Sequence, residues 1–210
     1  LGPLLGTSLP AMGKFDLRAD ISSDGAVHQA NDLQIQIRKN RFSGSVRWED
    51  RAPRPFLSGI LSTKRLSLKE FKPPSKAASK SRTPGLLDRP LELDGLNAFD
   101  AKLDLAVKDV ADSPISITEV ESTVTLENGK PVATFRGKAA GNPINGQMEL
   151  RRRNDGAFVS INAKAAKMDV GQTLKQLKMP DIVVGTADAV NFDGSSSGNT
   201  IRALLAQPVF

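Results

Sequence analysis

The chain has 210 residues, a formal net charge of +6 and a sequence pI near 9.7, with 25% charged and 39% apolar residues. This is length for one sizeable domain or two small ones, and the modest apolar share suits an extended sheet better than a compact globule. With no cysteine there is no disulfide framework and no thiol chemistry, and with no run of about 18 apolar residues there is no bilayer-spanning helix within it.

Leu1-Gly2-Pro3-Leu4-Leu5-Gly6 reads as the interior of something longer, so any anchor or export signal is expected outside this chain. Phe15, Leu17, Ala19 and Ile21 alternate with Lys14, Asp16, Arg18 and Asp20, the period of a half-buried strand. Ser23-Asp24-Gly25 predicts a turn. Leu33, Ile35 and Ile37 mark a second strand, and Phe42, Gly44, Val46 and Trp48 a third. Pro53 and Pro55 mark a loop before Leu57, Gly59 and Leu61. Leu66 to Phe71 reads as a short helix or a crossing segment. Residues 72–89 are small, basic and proline-rich without periodicity, as in a flexible loop or linker.

Strands resume with Phe99, Ala101, Leu103, Leu105 and Val107. A hairpin follows over Val120–Lys138, because Asn128-Gly129 suits a type I′ turn, which needs φ > 0 at both central residues. A two-residue loop there pairs residues whose numbers sum to 257. That register puts Val120, Val124, Leu126, Ala133 and Phe135 on one face. It pairs Glu121 with Arg136, Glu119 with Lys138, Glu127 with Lys130 and Thr123 with Thr134 on the other. Ile144, Gly146, Met148 and Leu150 then run against Val159, Ile161, Ala163 and Ala165, joined near Asp155-Gly156. Asp169 is placed to cap a helix through Leu174 and Leu177 that Pro180 closes. Ile182, Val184, Val190 and Phe192 begin a last strand, Ser195-Ser196-Ser197-Gly198 reads as a loop, and Ile201 to Ala206 as a short helix.

The two halves repeat. Gly44 and Gly146, Phe56 and Phe158, and Leu68 and Val170 are each 102 residues apart (146−44, 158−56, 170−68). The expected architecture is all-β: an elongated, curved, mainly antiparallel sheet of repeated hairpin units with a few short helices. Its first unit spans 1–72, a basic loop 73–90, and a second unit with closing helices 91–210, in one continuous sheet.

Catalytic signatures are weak. His28 is the only histidine and lies in a strand-like segment. Gly194-Ser195-Ser196-Ser197-Gly198 matches G-x-S-x-G formally, but no α/β sheet is readable to support a nucleophile elbow. Acidic residues are scattered singly opposite basic ones, which gives no carboxylate dyad and no metal cluster. The expectation is therefore no enzyme, no cofactor and no metal. Arg151-Arg152-Arg153 is the sharpest basic cluster; it lacks the interleaved aromatics of a nucleic-acid platform and reads as a solvated strand end, with anionic headgroup contact the functional alternative. The apolar strand faces, taken alone, read as the core of a packed sandwich.

The order of motifs resembles the AsmA family of Gram-negative bacteria, in the domain toward the C-terminus of those proteins. The resemblance rests on Phe42-Ser43-Gly44-Ser45-Val46-Arg47-Trp48, the stretch from Arg54-Pro55-Phe56 to Leu66-Ser67-Leu68, and Phe99-Asp100-Ala101-Lys102-Leu103-Asp104-Leu105. It continues through Leu126-Glu127-Asn128-Gly129, Ile144-Asn145-Gly146-Gln147-Met148-Glu149-Leu150, Met168-Asp169-Val170 and Ile201-Arg202-Ala203-Leu204-Leu205, so it covers nearly the whole chain. The first half lacks a counterpart to the extra hairpin of the second. The resemblance implies a periplasmic protein anchored to the inner membrane, similar to TamB-like bridge carriers of phospholipid, and tied to outer-membrane biogenesis. It implies no catalytic residues; a structural alternative in which the domain scaffolds envelope proteins stays open, as does a nucleic-acid binder favoured only by the charge, and no nucleic-acid partner is expected. Under it, Leu33, Ile35, Val46, Trp48, Phe99, Leu103, Leu105, Val107, Val124, Leu126, Phe135, Met148 and Leu150 line a groove for acyl chains, with Leu103, Leu105, Val124, Leu126 and Phe135 on a partly open surface.

Overall fold

A computed structural model describes residues 15–71, 91, 93–153, 156–177, 185–200 and 203–204. The strands are β1 (Phe15–Asp24), β2 (Val27–Ile37), β3 (Asn40–Glu49), β4 (Phe56–Thr63), β5 (Leu66–Ser67), β6 (Asp100–Ala111), β7 (Ile117–Glu127), β8 (Lys130–Ala139), β9 (Asn142–Arg153), β10 (Gly156–Asp169) and β11 (Thr186–Gly198). They form one open, curved sheet in the order β1-β2-β3-β4-β6-β7-β8-β9-β10-β11, with β5 beside β6. The described residues contain no second sheet. Neighbours are antiparallel except at β4–β6 and β5–β6, which are parallel.

Short loops explain most of the antiparallel order. Two residues join β1 to β2, β2 to β3, β7 to β8 and β8 to β9. At the β7–β8 turn both Asn128 (φ 53) and Gly129 (φ 73) are left-handed, as a type I′ turn requires. Register follows the expected sum from Glu127↔Lys130 to Glu121↔Arg136 and then shifts. Glu119 (φ 52) is an extra left-handed residue, so Lys138 pairs with Thr118 in the backbone. Its ammonium still reaches the Glu119 carboxylate at 2.8 Å. A second bulge sits at Asp32 (φ 47), where β2 carries one residue more than either neighbour.

The repeat is physical as well as textual. Gly44 pairs with Leu61, and a Cβ there would strike the Ile60 carbonyl oxygen. Gly146 pairs with Ala163, and a Cβ there would strike the Asn162 carbonyl oxygen, 102 residues further on. Arg51 stacks over Phe56 at 4.0 Å and Arg153 over Phe158 at 4.2 Å, again the same offset. Arg47–Glu49 is an ion pair, and its counterpart Glu149–Arg151 is the same pair with the signs exchanged. Glycine kinks and bulges are the devices that curve a sheet. At Gly44 and Gly146 they let adjacent strands approach on the side where a side chain would otherwise stand.

The halves part after these shared strands. Beyond β10 the helix α1 (Val170–Gln176) turns the chain into antiparallel β11, with Asp169 capping it by accepting from the Gln172 N–H at 2.8 Å. Beyond β4 the chain instead crosses over to parallel β6, which needs a long connection. Leu66–Phe71 is not a simple helix: it is β5 followed by a 3-10 turn, Leu68–Phe71. Asn40, 1% exposed, clamps this crossing segment by accepting from the Ser67 N–H at 2.7 Å and donating to the Ser67 carbonyl at 3.3 Å. Asp112 ties it from the other side, through Ser67 Oγ at 2.7 Å and Lys69 at 2.8 Å.

Four expectations need correction or fall wholly or partly outside the described residues. Ser195–Gly198 is not a loop: it is the end of β11, paired residue for residue with Ala157–Ser160. The described part of the last strand begins at Thr186; Ile182 and Val184, the basic loop at 73–90, and most of the Ile201–Ala206 helix lie outside the described residues, of which only 203 and 204 are helical.

Candidate apolar binding face

Directly opposed residues in a sheet project to the same face, so the register traces that face across the whole molecule. One row runs Ile21, Ala30, Val46, Gly59, Leu103, Val124, Ala133, Met148, Ile161, Gly194 from edge to edge. The row on one side holds Leu33, Gly44, Leu61, Leu105, Ser122, Phe135, Gly146, Ala163 and Phe192. The row on the other holds His28, Trp48, Leu57, Ala101, Leu126, Pro131 and, on β9–β11, Leu150, Val159 and Ser196. Ile35 and Val107 extend the same face, and Phe99, just before β6, meets the Trp48 ring at a centroid distance of 5.8 Å. All the residues assigned to a lining by the sequence thus lie on one face. The face crosses from the first repeat to the second through Gly59↔Leu103, without a break.

Exposure along it is uneven. Leu33, Val107 and Leu126 are buried at 3–5%, while Leu103, Leu105, Val124 and Phe135 are half-buried. The open part is displaced toward the second-repeat edge, where Met148, Ile161 and Phe192 are 36–45% exposed on adjacent strands. At the opposite edge Ile21 is 64% exposed. The middle of the face is therefore closed over by its own side chains and its flanks are open. Ser196 is a buried hydroxyl on this face with no hydrogen-bond partner, hidden from sequence reading by its place in a Ser/Gly run.

The opposite face is mostly polar, with Ile60, 62% exposed beside Ser45 and Asp104, the large apolar exception. Glu121 holds Arg136 at 2.5 Å, Asp104 accepts from Thr123 at 2.5 Å, and Ser43 and Ser62 hydroxyls lie 3.2 Å apart. Three open hollows lie on this side, one of them over the row of Ser43, Ser62 and Ala106.

At one end of β1–β3, Ser23 meets His28 Nδ1 at 2.8 Å, and His28 Nε2 lies 3.6 Å from Asp50, which also accepts from the Trp48 indole at 2.6 Å. A gap of 3.6 Å is too long for a hydrogen bond that orients the ring. The group reads as a polar clamp across three strand ends. The Arg151–Arg153 cluster is dispersed by its partners: Arg151 pairs with Glu149, Arg152 with Asp94, and Arg153 stacks on Phe158.

No family profile, curated protein or solved structure matches this chain. No helix among the described residues is long and apolar enough to cross a membrane.

Proposed function

We propose that this chain is a lipid-carrying segment whose apolar sheet face shields acyl chains from water, in a periplasmic protein anchored to the inner membrane through sequence outside it. The observation that supports the reading is the single layer. Ten strands share one continuous apolar face, and the described residues supply no second sheet to pack against it. Exposing an acyl chain of about 16 carbons to water costs on the order of 12 kcal/mol at about 0.8 kcal/mol per CH₂. A carrier needs only a long apolar surface to offset that, and residue alternation on every strand provides it.

Substitution separates an open lining from a packed core. Met148→Glu places a carboxylate where the side chain is 42% exposed, so it stays hydrated and the sheet folds. Val107→Glu, at 3% exposure, strands a charge and costs several kcal/mol. The test is thermal melting of both variants alongside phospholipid transfer between donor and acceptor vesicles. A folded Met148→Glu protein that no longer moves lipid supports the carrier. A folded variant with undiminished transfer overturns it.

A further inference from the structure

The polar face carries a row of cations that the lipid reading does not use. Ser43 pairs with Ser62 and Ser62 with Ala106. Carried two residues on, past the paired part, that register brings Arg41 on β3, Lys64 in the bend after β4 and Lys108 on β6 to one hollow that all three line, each exposed. Strands lie about 4.8 Å apart, so the backbones bearing these three like charges lie within about 10 Å, an arrangement that destabilises a sheet unless something answers it.

Among the described residues none of the three is ion-paired, although Glu119 stands beside Lys108 in the β6–β7 register. Among the described residues Arg41 bonds only the Gln36 amide oxygen, at 3.2 Å. Among the described residues Lys64 and Lys108 have no acidic partner. The nearby carboxylates are engaged elsewhere: Glu121 by Arg136, Glu119 by Lys138, Asp16 by Arg18. The row borders an open hollow of about 900 Å³ lined by Ser43, Ser62 and Ala106 and also by the paired carboxylates of Asp16, Glu119 and Glu121.

We propose that this hollow binds a phosphate-bearing ligand, with Arg41, Lys64 and Lys108 supplying charge; the Ser43 and Ser62 hydroxyls, which bond each other at 3.2 Å while Ser62 Oγ also donates to the Ser43 carbonyl at 3.3 Å, would have to turn from these partners to donate to its oxygens. The site is independent of the apolar face. The two faces of a sheet point in opposite directions, so a lipid lying on one cannot place its headgroup on the other. The phosphate therefore comes from a soluble ester or from headgroups of a bilayer that the polar face approaches.

The test is calorimetric titration of the full chain with inorganic pyrophosphate, and co-sedimentation with phosphatidylcholine vesicles with and without phosphatidate. Saturable pyrophosphate binding, weakened at least tenfold in Arg41→Gln/Lys64→Gln/Lys108→Gln, is expected. The single Lys64→Gln and Lys108→Gln variants, each at an exposed position, give the same reading with smaller losses and keep the test usable should the triple variant be unstable. Without ligand, the lysine variants should melt no lower than the parent, because a repulsion has been removed. Vesicle binding that pyrophosphate displaces assigns the headgroup; pyrophosphate binding without vesicle binding assigns a soluble phosphate. No saturable binding, or binding unchanged in all the variants, overturns the proposal.

Discussion

A methyl group added at either repeat glycine tests whether close strand approach sets the curvature. At Gly44 the new Cβ would land on the Ile60 carbonyl oxygen, 2.8 Å from its carbonyl carbon and 3.0 Å from Leu61 Cα. At Gly146 it would land on the Asn162 carbonyl oxygen, 2.5 Å from Phe135 Cζ and 3.0 Å from Ala163 Cα. Main-chain atoms cannot swing aside as a side chain does, so the strands must part and lose ladder hydrogen bonds. Overpacking of this kind costs about 1–3 kcal/mol, which outweighs the ~0.4–1 kcal/mol that alanine gains by restricting the unfolded chain. Gly44→Ala and Gly146→Ala should each lower stability by about 1–2 kcal/mol, a shift of roughly 2–8 °C at this chain length. Strands separate the two sites, so the double variant should be additive within about 0.5 kcal/mol. Gly95→Ala is the control: nothing lies within 4 Å of its Cβ, and a change within about 0.5 kcal/mol is expected. Urea unfolding followed by circular dichroism reads all four. Parent-like midpoints for both repeat variants would refute the close approach and the account of curvature built on it.

Three single residues carry further predictions. Gly129→Val forces a β-branched residue to φ near +73° and should cost about 1–3 kcal/mol; an unchanged melting midpoint would contradict the type I′ turn. Asn40→Ala leaves the Ser67 N–H and carbonyl without partners and should cost about 1–3 kcal/mol, read by urea unfolding, with hydrogen exchange accelerated at Ser67 if the clamp is real. Hydrogen bonds from Lys69 first and Ser67 second lower the Asp112 carboxyl from 3.8 to about 2. Its contribution is complete above the unfolded value and is lost as pH falls from about 4 toward 2, so Asp112→Asn should flatten stability over that window and leave it unchanged in slope above about pH 5.

Much of this fold was written in period-2 alternation, and the misses have identifiable causes. The β7–β8 register was legible because turn chemistry, alternation and charge pairing agree from Glu121 to Lys130. The bulge at Glu119 was passed over, although the apolar phase slips between Ile117 and Val120; the same slip between Ala30 and Leu33 marks the bulge at Asp32. Ser195–Gly198 has the composition of a loop, but pairing with β10 overrides propensity there. The parallel β4–β6 seam was not legible at all, since alternation assigns a strand's faces and says nothing of its neighbour. The apolar face itself was readable residue by residue. Its uneven opening was not, because closure over Val107 and Leu126 and exposure at Met148, Ile161 and Phe192 depend on how the sheet curves. The cation row on the polar face escaped for the same reason as the seam: Arg41, Lys64 and Lys108 become neighbours only through β4–β6 pairing.

The most direct measurement is photo-crosslinking from both faces of the sheet. A benzophenone amino acid replaces Met148, open on the apolar face, or Thr134, exposed on the polar face. Each protein is irradiated with phospholipid vesicles in excess inorganic pyrophosphate, which competes for the polar-face hollow, and adducts are identified by mass spectrometry. The carrier account predicts phospholipid adducts at position 148 and none above background at 134. Equal adducts on both faces, or none at 148 in a folded protein, would contradict it.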